Sequence, residues 1–172
     1  MLTPKEYHFM ALTTEIEVQT LTDIPELNLI SNFHGPLQQN TISKIPLFVA
    51  LELQSKQYVK ILIPYYLSHD FIINALEKEK EDVDAFQKVH PHFFELLHIM
   101  KDTIRADNPS TSNLANELRE VRLGKLKVGM SGLDGKAVVL DNLTQYEFSH
   151  INLYVKETME GLIWMEKPRR GA

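Results

Sequence analysis

NELREVRLGKLKVGMSGLDGKAVVLDNLTQYE, residues 116–147, carries four of the chain's seven glycines and a GK pair. Two readings compete for it: a loop that cradles phosphate, or the end of one helix, a turn and the start of another. A phosphate loop of the G-x-x-x-x-G-K-[ST] type needs its glycines at that spacing so that backbone N–H groups surround the anion while the lysine neutralises it. Gly124 and Gly129 have the spacing, but Met130 and Ser131 follow; Gly135-Lys136 is followed by Ala137, with Met130 five positions before it. No two glycines are one residue apart, so G-x-G-x-x-G is absent, and Gly129-Met130-Ser131-Gly132 misses the G-x-S-x-G elbow by one residue. The helix reading survives: Gly129, Gly132 and Gly135 are expected to end a helix and loosen the turn that follows it.

The far end of the stretch is more informative. In LDNLTQYEF, Thr144 is placed to cap a helix, Glu147 stands three residues on to complete a capping box, and Leu143 with Phe148 can form the hydrophobic staple. Asp141 and Asn142 can satisfy further backbone donors and tighten the turn. Upstream, at 100° per residue, Leu114, Leu118, Val121 and Val128 share one helix face while Leu123, Leu126 and Met130 lie nearly opposite. The last helix repeats the trait: Phe148, Ile151, Val155, Met159 and Leu162 form a stripe, with Leu143, Tyr146, Tyr154 and Trp164 on the other side. Helices with two apolar faces need two apolar neighbours. Leu123, Leu126, Met130, Leu143, Tyr146, Tyr154 and Trp164 are therefore the candidate partner interface.

Working outward, Thr3-Pro4-Lys5-Glu6 reads as another capped helix start, with Leu2 and Tyr7 as staple. Alternation at Glu15–Gln19 predicts a strand with Ile16 and Val18 inward. Further short strands are expected at Leu27–Ile30 and Val59–Ile63, and a short helix from Ile45 with Pro46 at its start. From Ser68 the chain is helical, with one amphipathic helix over HPHFFELLHIMKDTIRA and a break at Asn108-Pro109-Ser110. The expected fold is α+β: a small β-rich domain with short helices over residues 1–63, then a larger α-helical domain, a helical bundle, over 64–172. About 60 residues lie near the lower limit for independent folding, so the β-rich part should dock on something.

Composition excludes several function classes. There is no cysteine, hence no disulfide framework, thiolate zinc site or cysteine nucleophile. The net charge of −5 gives no global field for nucleic acid. No apolar run reaches membrane-spanning length, and the first residues do not read as a secretory signal. The alternating signs of Glu77–Asp84 read as a solvated helix surface. His90, His92 and His98 with Glu95 lack the spacing of a metal site, and no cofactor is implied. Arg119, Arg122, Lys125 and Lys127 form a candidate basic contact patch on one helix.

The pattern R-x-x-R-x-x-K-[LV] at Arg119, Arg122, Lys125 and Leu126, followed by L-D-N-L-[ST]-x-x-E at Leu140–Glu147, resembles the Psf-two family of GINS subunits. Pro4, Glu6, Phe9 and Met10 match its N-terminal P-x-E-x-x-F-[LIM], and Ile45–Ala50 its V-P-L-W-[LI]-A helix, with Phe48 in place of Trp. Pro64-Tyr65-Tyr66 stands where the family has P-x-W, and its longer C-terminal tail has no counterpart in the given sequence. The sister Psf-three family shares the domain order and the P-L-W motif; the L-D-N-L-T segment decides between them. The resemblance implies a non-catalytic nuclear scaffold assembling with Psf-one, Psf-three and Sld-five, and through them with the MCM helicase and Cdc-forty-five, touching DNA only indirectly or weakly. Two rival readings remain open: a nucleotide-dependent enzyme using Lys136, and a nucleic-acid-binding module using the basic patch.

Overall fold

A computed structural model of the chain describes residues 3–29, 33–83, 85–131 and 141–166. Helix α1 (Pro4–Leu12) starts on the expected box: Glu6 N–H donates to Thr3 Oγ1, and Thr3 N–H donates to the Glu6 carboxylate. Strand β1 (Glu15–Thr20) alternates as its sequence dictates, with Ile16, Val18 and Thr20 buried and Glu15 and Glu17 exposed. A two-stranded ladder joins β2 (Leu27–Asn28) to β3 (Phe33–His34). Then come β4 (Ile42–Pro46), α2 (Leu47–Ser55) and β5 (Val59–Ile61). β1 is the middle strand of an antiparallel sheet in the order β4-β1-β5, with Ile16 opposite Ile45 and Val18 opposite Ile61.

β4 is absent from the sequence reading, which began a helix at Ile45. Pairing against β1 holds Ile45 in the strand as far as Pro46, opposite Glu15, and only then can the helix begin at Leu47. Proline suits both sides of this junction, since it closes a strand and has a φ compatible with helix entry.

The 3-10 turn Tyr65–Leu67 leads to α3 (His69–Glu81), capped by Ser68, whose Oγ accepts from Phe71 N–H. The single helix expected over residues 90–106 is two, α4 (Phe93–Ile99) and α5 (Lys101–Asp107), parted at Met100 with φ −91° and ψ 13°. Phe93, Met100 and Ile104 are buried as the stripe predicts, while Leu97 is only half-buried. α6 (Thr111–Ser131) and α7 (Gln145–Glu166) complete the chain. α6 runs through Gly124 and Gly129 to Ser131; Gly132, Gly135 and Lys136 lie outside the described residues.

The β-rich part does dock, and on its own helices. Ile16, Val18, Ile45, Leu47, Val59 and Ile61 belong to one hydrophobic cluster with Ile72, Phe93, Leu96, Met100 and Leu118. Each such side chain contributes roughly 1.5–3 kcal/mol on burial, so a sheet of three short strands gains a floor it could not supply itself. α3 lies along α6, α5 also meets α6, and α1 packs against α4 and α7. This is an α+β fold, a small antiparallel sheet followed by a larger helical region.

Candidate partner interface and the buried ionic node beneath it

The two motifs that flank the opening turn meet inside the protein. Arg122 on α6 is fully buried. Its Nε donates to Glu147 Oε1 at 2.6 Å and its Nη2 to Glu147 Oε2 at 2.9 Å, a two-pronged pair. Nη1 donates to Glu79 Oε2 at 2.9 Å and to the Gln87 carbonyl at 3.0 Å, and Nη2 also to the Asn142 carbonyl at 2.9 Å. All five N–H donors of the guanidinium are thereby used. Lys125, one turn on, donates to Glu79 Oε1 at 2.8 Å, to the Ala85 carbonyl at 3.0 Å and to the Asp82 carbonyl. The Phe86 ring lies 5.0 Å from the Arg122 guanidinium carbon and 5.8 Å from Lys125 Nζ.

Two cations therefore face two carboxylates, Glu79 and Glu147, both with no exposed side-chain surface. A buried ion pair repays its desolvation only when geometry and hydrogen bonds are complete, and here they are. Burial by itself pulls the Arg122 pKa down, but the bonds and charges of Glu147 and Glu79 outweigh it and leave the group raised and permanently charged.

Local sequence makes the node possible. The Thr144 box forms as expected: Glu147 N–H donates to Thr144 Oγ1 at 3.3 Å, and Thr144 N–H donates to Glu147 Oε2 at 2.8 Å. Thr144 Oγ1 donates to the same oxygen at 2.9 Å. The box thus fixes the carboxylate in the rotamer that Arg122 grips. Asn142 adopts φ 59°, in the left-handed region where asparagine is tolerated. That turn presents its carbonyl to Arg122 while its Nδ2 donates to the Phe86 carbonyl at 3.1 Å. Gln145 N–H, a free donor in the first turn, reaches the Pro91 carbonyl at 2.8 Å. Asp141 is exposed.

Several expectations are corrected here. Glu79 is not on a solvated surface; it is the acceptor that binds Arg122 and Lys125. The four cations do not form one exposed patch: Arg122 is interior and Lys125 is committed to Glu79, leaving Arg119 half-buried and Lys127 exposed. Leu126 does not await a partner, because the buried residues of α6 are Thr111, Ala115, Leu118, Arg122 and Leu126. They fall within an arc of about 80° at 3.6 residues per turn. Accepting Arg122 into the interior turns that arc inward and leaves Val128, assigned to the Leu118 face, 72% exposed.

Of the remaining interface candidates, Leu123, Met130, Leu143 and Tyr146 are half-buried and Tyr154 is exposed; the Trp164 side chain lies outside the described ones. Tyr146 leans on Phe94 of α4, ring centres 5.6 Å apart, and on His150. Past Ile151, which is buried, no residue from Asn152 to Gly161 is, although Leu153, Tyr154, Val155 and Met159 are among them. His90 stacks on Tyr66 at 4.7 Å, and His92 stands at the start of α4. Among the described residues no group of three or more His, Asp or Glu could hold a metal, and no helix is long and apolar enough to cross a membrane. Sequence reading missed Glu79 and Gln87; the signal available for Glu79 was its place on the apolar side of α3, level with Ile72, Ala75 and Leu76.

Comparison with known proteins agrees with this architecture. Residues 3–62 match the family model "PSF2 N-terminal domain", and residues 66–166 match "GINS complex protein helical bundle domain". The chain is 32% identical over 152 residues to the probable DNA replication complex GINS protein PSF2 of Encephalitozoon cuniculi, covering 87% of each. It is 22% identical over 160 residues to the DNA replication complex GINS protein psf2 of Schizosaccharomyces pombe, covering 91% of this chain and 87% of that one. To the Yarrowia lipolytica PSF2 protein it is 27% identical over 178 residues, 95% of this chain and 66% of the relative. The two family matches, together with the 32% identical relative, place the chain in the PSF2 family of DNA replication complex GINS proteins.

Proposed function

We propose that the chain is a non-catalytic scaffold subunit of a GINS assembly acting in chromosomal DNA replication in the nucleus, with Psf-one, Psf-three and Sld-five as its companions. Through that assembly it would serve the replicative helicase with MCM and Cdc-forty-five. The observation that carries this reading is the free length of α7. Ten consecutive helical residues, 152–161, include Leu153, Tyr154, Val155 and Met159, and the chain itself buries none of them. Leu153 and Tyr154 are exposed and Val155 and Met159 only half-buried, which supports a surface for another helix. Leu123, Met130 and Leu143 extend the same interface; Trp164 is assigned to it by sequence. Residues 1–63 and 64–172 act as two modules over a shared core.

The ionic node belongs to this function as a support. It locks the turn before α7 to α3 and α6, so that α7 leaves the bundle in a fixed direction. A direct DNA role for this chain would rest on Arg119 and Lys127 alone of the four cations first considered.

The test is co-expression with the three other GINS subunits, followed by mass measurement of the intact assembly. The chain alone is expected to be poorly soluble and to become monodisperse with them. A soluble monomer that ignores all three would refute the proposal. Tyr154→Asp together with Leu153→Asp should abolish assembly with the helical content retained.

A further inference from the structure

A cavity of about 370 Å³ opens where α1, α4, α5, α6 and α7 converge. It is distinct from the node and from the free length of α7. Its walls include Phe94, Leu97, Ile104, Ala115 and Tyr146, an apolar and aromatic lining. Glu95 lines it too, and Glu95 Oε2 is buried with no hydrogen-bond partner among the described residues. Burial pushes the Glu95 carboxyl pKa up, and the nearby charge of Glu147 adds to this. Lys101, Arg119, His98 and His8 also border the cavity; Lys101, His98 and His8 are exposed. Among the described residues Arg119 pairs with its neighbour Glu120, an exposed contact of 3.6 Å.

A buried polar atom without a partner is uncommon in a folded protein and calls for an explanation. We propose that this cavity is a socket for a tyrosine side chain carried on an acidic segment of a neighbouring subunit, its phenol bonded to Glu95 and its flanking carboxylates meeting Lys101 and Arg119. The inference rests on the subunit reading above and adds to it the chemistry of one contact.

The choice of occupant follows from the lining. A cavity of this size with largely apolar walls suits one aromatic ring. A leucine or phenylalanine would fill it but leave Glu95 Oε2 without a partner. An arginine or lysine could pair with Glu95 but would have to pass a border of like charge. A phenol meets both conditions: it donates to a carboxylate and accepts from a carboxylic acid, so it serves Glu95 in either protonation state. Tyrosine is also among the residues enriched at the buried centres of interfaces. The cations at the border then favour acidic neighbours on the arriving segment and speed its approach.

The experiment uses the chain co-expressed with the three other GINS subunits, with a benzophenone amino acid at the exposed Asn116 position on the cavity edge. Irradiation should cross-link it to a subunit peptide that contains tyrosine beside aspartate or glutamate. With the assembly formed, a cross-link to a peptide lacking tyrosine, a cross-link to nucleic acid, or none at all overturns the socket and leaves the subunit reading standing. Failure to assemble at all overturns both. In parallel, Glu95→Leu should weaken assembly at least tenfold, while Glu95→Gln, which can still accept from a phenol, retains most of it. Unchanged affinity in Glu95→Leu overturns the proposal. Lys101→Glu with Arg119→Glu should slow association and flatten its salt dependence.

Discussion

At Thr3-Pro4-Lys5-Glu6 and again at Thr144-Gln145-Tyr146-Glu147 the chain forms the same capping box, threonine and glutamate closing on each other's backbone N–H. The first stands in water. Its Glu6 carboxyl is held below its ordinary value by the Thr3 backbone N–H and hydroxyl. The second is interior: Glu147 has no exposed side-chain surface and takes two further bonds from Arg122, while the Pro91 carbonyl receives the Gln145 N–H. One device starts a helix; the other starts a helix and fixes it to two others. The difference lies entirely in what the glutamate meets after the box has closed, and it explains how a short local signal comes to organise the helical region.

Removing Arg122 should separate the two boxes most sharply. Arg122→Ala leaves Glu79 and Glu147 buried without their main counter-charge, and breaking a buried pair in this way costs about 3–5 kcal/mol. Hydrogen exchange in the co-expressed assembly should show α3, α6 and the first turns of α7 opening more easily by that amount, with α1 unchanged. An effect below about 1 kcal/mol would mean that the node does not hold the helices together. Arg122→Lys keeps the charge but not the fork that bonds Glu147 at two points, and at least one charged hydrogen bond is lost. A cost of about 2 kcal/mol is expected by the same measurement.

The caps come next in size. Thr144→Ala should cost about 1–2 kcal/mol, the upper part of the range for a cap, because its hydroxyl also bonds Glu147 Oε2. Thr3→Ala should have a smaller effect, confined to the exchange of α1 amides. Equal effects at the two positions would show that the interior setting adds nothing to the box.

These predictions also mark where sequence stops being legible. Both boxes, β1 and the burial of Ile16 and Val18 could be read because each depends on residues within four positions of one another. β4 could not, because Ile42–Pro46 becomes a strand only by lying against β1, about thirty residues earlier. Glu79 and Arg122 were misplaced for the same reason. A charge within a helix reads as solvated unless its partner is known, and the partners here are 43 and 25 positions apart. Leu126 followed Arg122: once an arginine is interior, a count of apolar residues assigns the wrong face. The motif arginine and glutamate were visible as a pattern in the sequence; their contact with each other was not.

The smallest expected effect concerns the seat that the second box has and the first lacks, the segment His90–His92. His90 Nδ1 accepts the His92 N–H at 3.2 Å, and its ring stacks on Tyr66, so the neutral form is the one built in. Burial lowers the pKa of both histidines, with the charge of His92 adding to the effect on His90. The unfolded chain therefore binds protons more readily than the folded one as pH falls below the ordinary histidine value of 6.5. Stability is lost from there downward, until the folded-state values have been passed. Glu95 acts in the opposite sense: its raised carboxyl takes up a proton in the folded state first, so stability recovers somewhat as pH falls through that value. The thermal midpoint should drop between pH 7 and the onset of Glu95 protonation. His90→Gln with His92→Gln should flatten the drop and expose the Glu95 rise on its own. If the double variant keeps the wild-type slope, the acid sensitivity lies elsewhere and Pro91 is held in place without its histidines.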